Sequence, residues 1–220
     1  MVSALMATYS RLPVTFEKGE GVWLWDTNGN RYLDALSGVA VCSLGHAHPA
    51  IAEAICKQAS TLVHTSNIYG IANQQALGEA LTTLSGMDRV FFGNSGAEAN
   101  EAAIKLARLH GHSRGISEPT IIVMENSFHG RTMGSVSYTT SNAKYRSGYF
   151  PLVPSVFVAP FPHPYRWNMS QEDANAYALN ELRLMFKHEV KPDEIAAFLF
   201  EPLQGEGGYY PASYEFIKAI

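Results

Sequence analysis

Only two cysteines, Cys42 and Cys56, occur in the 220 residues. They form neither a CxxC pair nor a disulfide framework, which excludes a scaffold stapled by cross-links and suits a reducing compartment, the cytoplasm. Long apolar runs are lacking too. None approaches the roughly 20 residues that span a bilayer, and the N-terminus has no basic segment followed by an apolar one, so neither a membrane anchor nor a secretory leader is expected. Charge is sparse, at 16% of residues with a formal net charge of −4. Lys and Arg stand singly, without the basic stripe that nucleic acid or an anionic membrane requires. Repeats and low-complexity tracts are missing as well. What remains, with 46% hydrophobic residues, describes a globular protein whose partner is a small molecule.

Thr27-Asn28-Gly29-Asn30 lies between the apolar runs 22–26 and 31–34, and Asn-Gly in that setting predicts an N-terminal β-hairpin. Pro49 opens a helical pattern that continues through Ser60, and a second helix is expected over 73–85. From about Val90 strands alternate with helices. Apolar runs at 89–92, 120–124, 156–159 and 195–200 read as strands of a parallel sheet buried on both faces. Ser170 caps a long helix that ends near Val190. Prolines at 151, 154, 160, 162 and 164 mark an ordered surface crossing with no regular element except the strand at 156–159. The class is α/β with an irregular N-terminal segment, divided into 1–60 and 61–220. Ser213 opens an amphipathic helix that stops without a C-cap, which reads as a truncation.

Three segments follow expected strands, at the carboxyl edge where open α/β sheets bind ligands. In the first, Ser95-Gly96-Ala97 opens an alanine-rich helix, so small residues and the helix dipole suit a phosphate. Ser95 with Glu98 equally describes a capping box that needs no ligand. In the second, Phe128 offers a face for a planar ring and Arg131 a fork for a carboxylate, against core packing and a surface ion pair as the plainer readings. His129 is an acid–base group or a hydrogen-bonding spacer. In the third, Glu201 and Glu206 lie on a glycine-rich loop, where one faces a cation or both are solvated. His46 and His48 have HxH spacing but no convergent ligands, so they read as turn and helix-start residues and no metal is expected.

Asn94-Ser95-Gly96-Ala97-Glu98-Ala99-Asn100-Glu101, Phe128-His129-Gly130-Arg131 and Glu201-Pro202-Leu203-Gln204-Gly205-Glu206-Gly207-Gly208, in that order and spacing, resemble the class III aminotransferases that use pyridoxal phosphate. Gly38-Val39-Ala40-Val41, Leu44-Gly45-His46-Ala47-His48-Pro49 and His64-Thr65-Ser66-Asn67 resemble the acetylornithine branch of that family. The resemblance runs from about Gly21 to Ile220.

It implies a fold-type I transferase, with 1–60 part of a small domain and 61–220 an incomplete cofactor-binding domain. Ser95, Gly96 and Ala97 would cradle the cofactor phosphate, with Phe128 stacking on the pyridine ring and His129 beside it. Arg131 would hold the substrate α-carboxylate. Glu206 matches the family's gate acid, which pairs an arginine while the amine donor binds and frees it for the 2-oxo acid; Glu201 would support it. Val39 stands where the ornithine-specific branch has tyrosine, which favours acetylornithine or 4-aminobutyrate as donor. Phe161-Pro162-His163-Pro164-Tyr165-Arg166 departs towards the 4-aminobutyrate enzymes. The family's Schiff-base lysine, its aspartate for the pyridine nitrogen and its gating arginine match positions beyond Ile220. Neither Lys105 nor Lys144 has the catalytic context, so no catalytic lysine is expected in these residues and the chain alone is expected to be inactive. The expected activity of the whole protein is transfer of the terminal amino group of acetylornithine, or a similar ω-amino acid, to 2-oxoglutarate. A homodimer with shared sites is implied, and a non-catalytic binding or assembly module is the contrasting expectation.

Overall fold

Asp26, only 4% exposed, shapes the N-terminal hairpin. Its carboxylate accepts the backbone N–H groups of Asn28 and Asn30 at 2.9 and 2.8 Å, the Asn30 amide at 2.9 Å and the Tyr32 hydroxyl at 3.0 Å. The Asn30 side chain does most to hold this carboxyl below its usual pKa. The computed structural model describes residues 4–220 and resolves two compact units that meet between Leu84 and Ser85.

In the first unit β1 (Phe16–Glu20), β2 (Trp23–Asp26) and β3 (Arg31–Leu33) form an antiparallel sheet in that order. The expected hairpin is β2–β3, with Leu24 opposite Tyr32; β1 was not foreseen. After β3 comes α1 (Ser37–Ala40), a single left-handed turn in which Ser37, Gly38, Val39 and Ala40 have φ between 53° and 64°. L-residues avoid that conformation at about 1–2 kcal/mol each, so something must hold it. Asp34 does, accepting the N–H groups of Leu36 and Ser37 at 3.0 and 2.8 Å, with His46 Nε2 2.7 Å from its other oxygen. His46 is fastened in turn by a reciprocal backbone pair with Gly21. The helices α2 (Pro49–Ala59) and α3 (Ala72–Ser85) match expectation to within a residue, and Pro49 occupies the first helical turn, where no N–H is missed.

In the second unit α4 (Gly96–Ser113) precedes β4 (Thr120–Met124), and α5 (Met133–Ser137) follows it. Then come a 3-10 turn at Ala143–Tyr145, β5 (Val156–Ala159), α6 (Pro164–Trp167), α7 (Gln171–His188) and β6 (Ile195–Leu199). A short antiparallel pair, β7 (Leu203–Gln204) and β8 (Tyr210–Pro211), leads to α8 (Tyr214–Ala219). The sheet is parallel in the order β5-β4-β6, and every residue of the central β4 is buried. Alternation along β4 sends Ile122 and Met124 towards Ala178, Leu182, Met185 and Phe216, and Ile121 and Val123 towards Ile104 and Tyr138. Helices therefore cover both faces, as the continuous apolar runs required.

Two expectations fail. Residues 89–92 form no strand; nothing among the described residues pairs with them, and Phe91 is 68% exposed. Apolar side chains favour a strand, but only a hydrogen-bonded neighbour makes one. The proline-rich crossing is not purely superficial either. Phe161 is 3% exposed and packs edge-on to Phe216, while Pro164 starts α6 instead of breaking it.

Candidate active site

Two loops leave the carboxyl ends of the neighbouring strands β4 and β6, and polar side chains join them. Gln204, 1% exposed, donates to the carbonyl of Glu125 at 2.7 Å. Asn126 donates to Gln204 Oε1 at 3.2 Å and to the carbonyl of Gly207 at 2.8 Å. Glu201 accepts the N–H of Phe128 at 2.9 Å with one oxygen and that of Gly205 at 3.1 Å with the other. Its carboxylate is thus neither solvated alone nor turned to a cation; it braces one loop against the other.

On this brace stands a cluster of rings and charges. Phe128 is half-buried and meets Tyr145 edge-on, centroids 5.4 Å apart at 73°. The Arg131 guanidinium lies 5.1 Å from the Tyr145 ring and 5.7 Å from the Phe128 ring. The Tyr145 hydroxyl donates to Glu206 Oε1 at 3.0 Å. Phe128 and Arg131 from one loop and Glu206 from the other are therefore gathered around one tyrosine.

The turn at Ser95 arrives by another route, since no strand precedes it. Ser95 caps α4 by accepting the N–H of Glu98 at 3.2 Å, and the Glu98 carboxylate accepts the N–H of Asn94 at 2.5 Å. The cap is real, yet it leaves the N–H groups of Gly96 and Ala97 without a partner among the described residues. A Cβ on Gly96 would meet nothing within 4 Å, so the backbone at this turn is uncrowded. An open helix N-terminus with two free N–H groups, on the first turn of an 18-residue helix, fits a phosphate. Ala97 packs on Gly130, and Asn100 donates to the carbonyl of His129 at 2.7 Å, which brings this turn to the Phe128 loop. Glu101 completes the join through Thr132 and the N–H of Ser135.

His129 is 4% exposed and its Nε2 has no hydrogen-bond partner. Burial pushes its pKa down to about 4, so it is neutral at physiological pH. The spacer role falls to its backbone, whose N–H reaches Thr139 Oγ1 at 2.9 Å. Thr139 in turn donates to the carbonyl of Gly130, while Thr140 takes the N–H of Ser127 and donates to the carbonyl of Met124. Val39 belongs to the first unit, on α1, and is 69% exposed. The sequence reading overlooked Tyr145, Asn126, Gln204, Asn100 and the Thr139-Thr140 pair. Gln204 and Asn100 lie inside the recognised motifs, whereas nothing local marks Tyr145.

Residues 5–220 match the family described as Aminotransferase class-III. The acetylornithine aminotransferase of Nitrosomonas europaea is 53% identical over 94% of the chain and 48% of its own length. Acetylornithine aminotransferase 1 of Bordetella parapertussis is 46% identical over 100% of the chain and 51% of its own. The chain thus spans about half the length of the curated relatives it matches. The ornithine aminotransferase of Toxoplasma gondii superposes with a TM-score of 0.82 at 29% identity, covering 98% of this chain and 47% of that one. A taurine:2-oxoglutarate aminotransferase from Bifidobacterium kashiwanohense, solved with pyridoxal phosphate and glutamate, gives 0.87 at 26% identity, covering 98% and 50%. A match so extensive settles membership: the chain belongs to the class III aminotransferases and has the fold-type I architecture of pyridoxal-phosphate transaminases.

Proposed function

We propose that the full-length protein moves the terminal amino group of acetylornithine, or a similar ω-amino acid, to 2-oxoglutarate with pyridoxal phosphate as cofactor. The observation that supports this best is the gathering of Phe128, Arg131 and Glu206 around Tyr145, beside the open N–H pair of Gly96 and Ala97. When bound, the cofactor supplies an electron sink for breaking bonds at the amine-bearing carbon.

The chain's own residues supply place and charge. Gly96 and Ala97 donate to the phosphate, and Ser95 holds the helix start in shape. Phe128 presents its face to the ring, while neutral His129 fills the space behind the loop without adding a cation. Arg131 receives the α-carboxylate through paired N–H donors. Glu206 pairs a cation while a donor with one carboxylate is bound and leaves it for the second carboxylate of 2-oxoglutarate. Glu201 keeps the two loops in register. We further propose a homodimer in the cytoplasm.

The chain by itself is proposed to hold the cofactor without transaminating. Lys105 is exposed on α4, and the Lys144 ammonium lies over the Tyr145 ring at 4.9 Å, engaged with the π face. Borohydride treatment of the cofactor-loaded chain should leave the cofactor removable by dialysis; covalent attachment would refute this. For the full-length protein, rates with acetylornithine and 4-aminobutyrate decide the donor. Acetylornithine should be faster by at least about tenfold, roughly the discrimination that one pocket contact provides, and equal rates would remove the preference.

A further inference from the structure

The loop backbone around Glu206 is braced at Gly205 by Glu201 and at Gly207 by Asn126, but glycine occupies positions 205, 207 and 208, so no neighbouring side chain on the loop fixes the Glu206 carboxylate. The side chain is exposed, and the hydroxyl of Tyr145 is what holds it, at 3.0 Å. Tyr145 itself is held on several sides. It ends the 3-10 turn at Ala143–Tyr145, meets the edge of Phe128, and lies under the cations of Arg131 and Lys144. A phenol donates a hydrogen bond to a carboxylate but does not neutralise it. Glu206 on Tyr145 is therefore hydrogen-bonded without being ion-paired, and can exchange this partner for a cation.

We propose that Tyr145 is a positioning residue for Glu206, the place where its carboxylate rests when a dicarboxylate ligand has displaced it from a cation. This rests on the reading of Glu206 as the gate acid. Removing the hydroxyl raises the energy of the resting position alone. Binding of a five-carbon dicarboxylate then weakens, while binding of a monocarboxylate donor, which leaves Glu206 on its cation, does not.

The test is calorimetric titration of the cofactor-loaded full-length protein with glutarate, which cannot react. Tyr145→Phe keeps the ring and its packing, and should weaken glutarate about tenfold, the size of one hydrogen bond to an exposed charged group. Glu206→Ala should tighten glutarate, because the competing acid is gone. In the double variant the Tyr145→Phe effect should vanish, and glutarate should bind as it does to Glu206→Ala alone. A merely structural tyrosine would weaken binding in both backgrounds, and that result overturns the proposal. So does unchanged glutarate binding in Tyr145→Phe when Glu206→Ala still tightens it. Unchanged binding in Glu206→Ala instead refutes the gate reading.

Discussion

A Cβ placed on Gly130 would lie 2.9 Å from the Cβ of Ala97. The helix that begins at the phosphate turn and the loop that carries Phe128 thus approach closely at a point where only hydrogen fits. Gly130 also has φ of +127°, a region that side chains resist. Gly130→Ala should therefore cost about 2–4 kcal/mol through strain and overlap, read as a lower urea midpoint. Gly96→Ala makes the opposite case. Nothing in the protein would meet its methyl, so stability should hold within about 0.5 kcal/mol, while the methyl should crowd a phosphate seated on this turn and weaken pyridoxal phosphate about tenfold. Fluorescence titration with the cofactor checks it, and unchanged affinity would place the phosphate elsewhere.

Glu201→Ala removes two acceptors at once, those of the N–H groups of Phe128 and Gly205. Orphaning two half-buried donors should cost about 1–3 kcal/mol in chemical denaturation. Glu201→Gln, which keeps one acceptor oxygen, should recover part of the loss. If Ala and Gln variants match the parent, the brace is not holding the loops.

Acid should destabilise the second unit through His129. Its pKa is depressed from 6.5 to about 4 in the folded state, so the unfolded chain takes up a proton first. The stabilisation is fully present above about pH 6.5 and is lost as the pH falls towards 4, by at most about 3 kcal/mol. His129→Gln should flatten the dependence of unfolding free energy on pH across that window. A slope that survives the substitution would belong to another group.

In the first unit the sign is the same but the window is lower. Asp34 has its pKa lowered, chiefly by His46 and then by the N–H of Ser37, so its stabilisation exists above pH 3.8 and fades as the pH falls through the folded-state value. Asp34→Asn should loosen α1 and raise hydrogen exchange at Leu36 and Ser37, whose N–H groups it holds.

Val39, β-branched at φ of 64°, is strained. Val39→Gly should leave stability unchanged or raise it by up to about 1 kcal/mol, while any change in the ratio of donor rates reports on the side chain itself. A loss of stability would mean that the valine packs better than its exposure suggests.

Much of the fold was legible because its signals are local. Asn28-Gly29 announced the hairpin, and Ser170 and Ser213 announced their helices by the side-chain caps they make. Residues 89–92 misled because the deciding quantity, a neighbour to pair with, is absent from local sequence. The site divides the same way. Short motifs pointed to Ser95, Phe128, Arg131, Glu201 and Glu206, since a tight turn or a loop acid has a local chemical meaning. Tyr145 acts through Glu206, 61 residues on, and the Thr139-Thr140 pair through backbone groups 9 to 16 residues back, and a lone aromatic or hydroxyl does not declare such a partner.

Both outer strands of the β5-β4-β6 sheet keep one hydrogen-bonding side that no described residue fills. Such a side is a template: an extended segment running in the same direction can add to it, whether from elsewhere in the same protein or from a second copy. Phe91, Leu106 and Leu109, each about two-thirds exposed, add apolar surface in the same unit. Produced alone, these 220 residues should be aggregation-prone, and concentration, more than temperature, should limit how long they stay in solution.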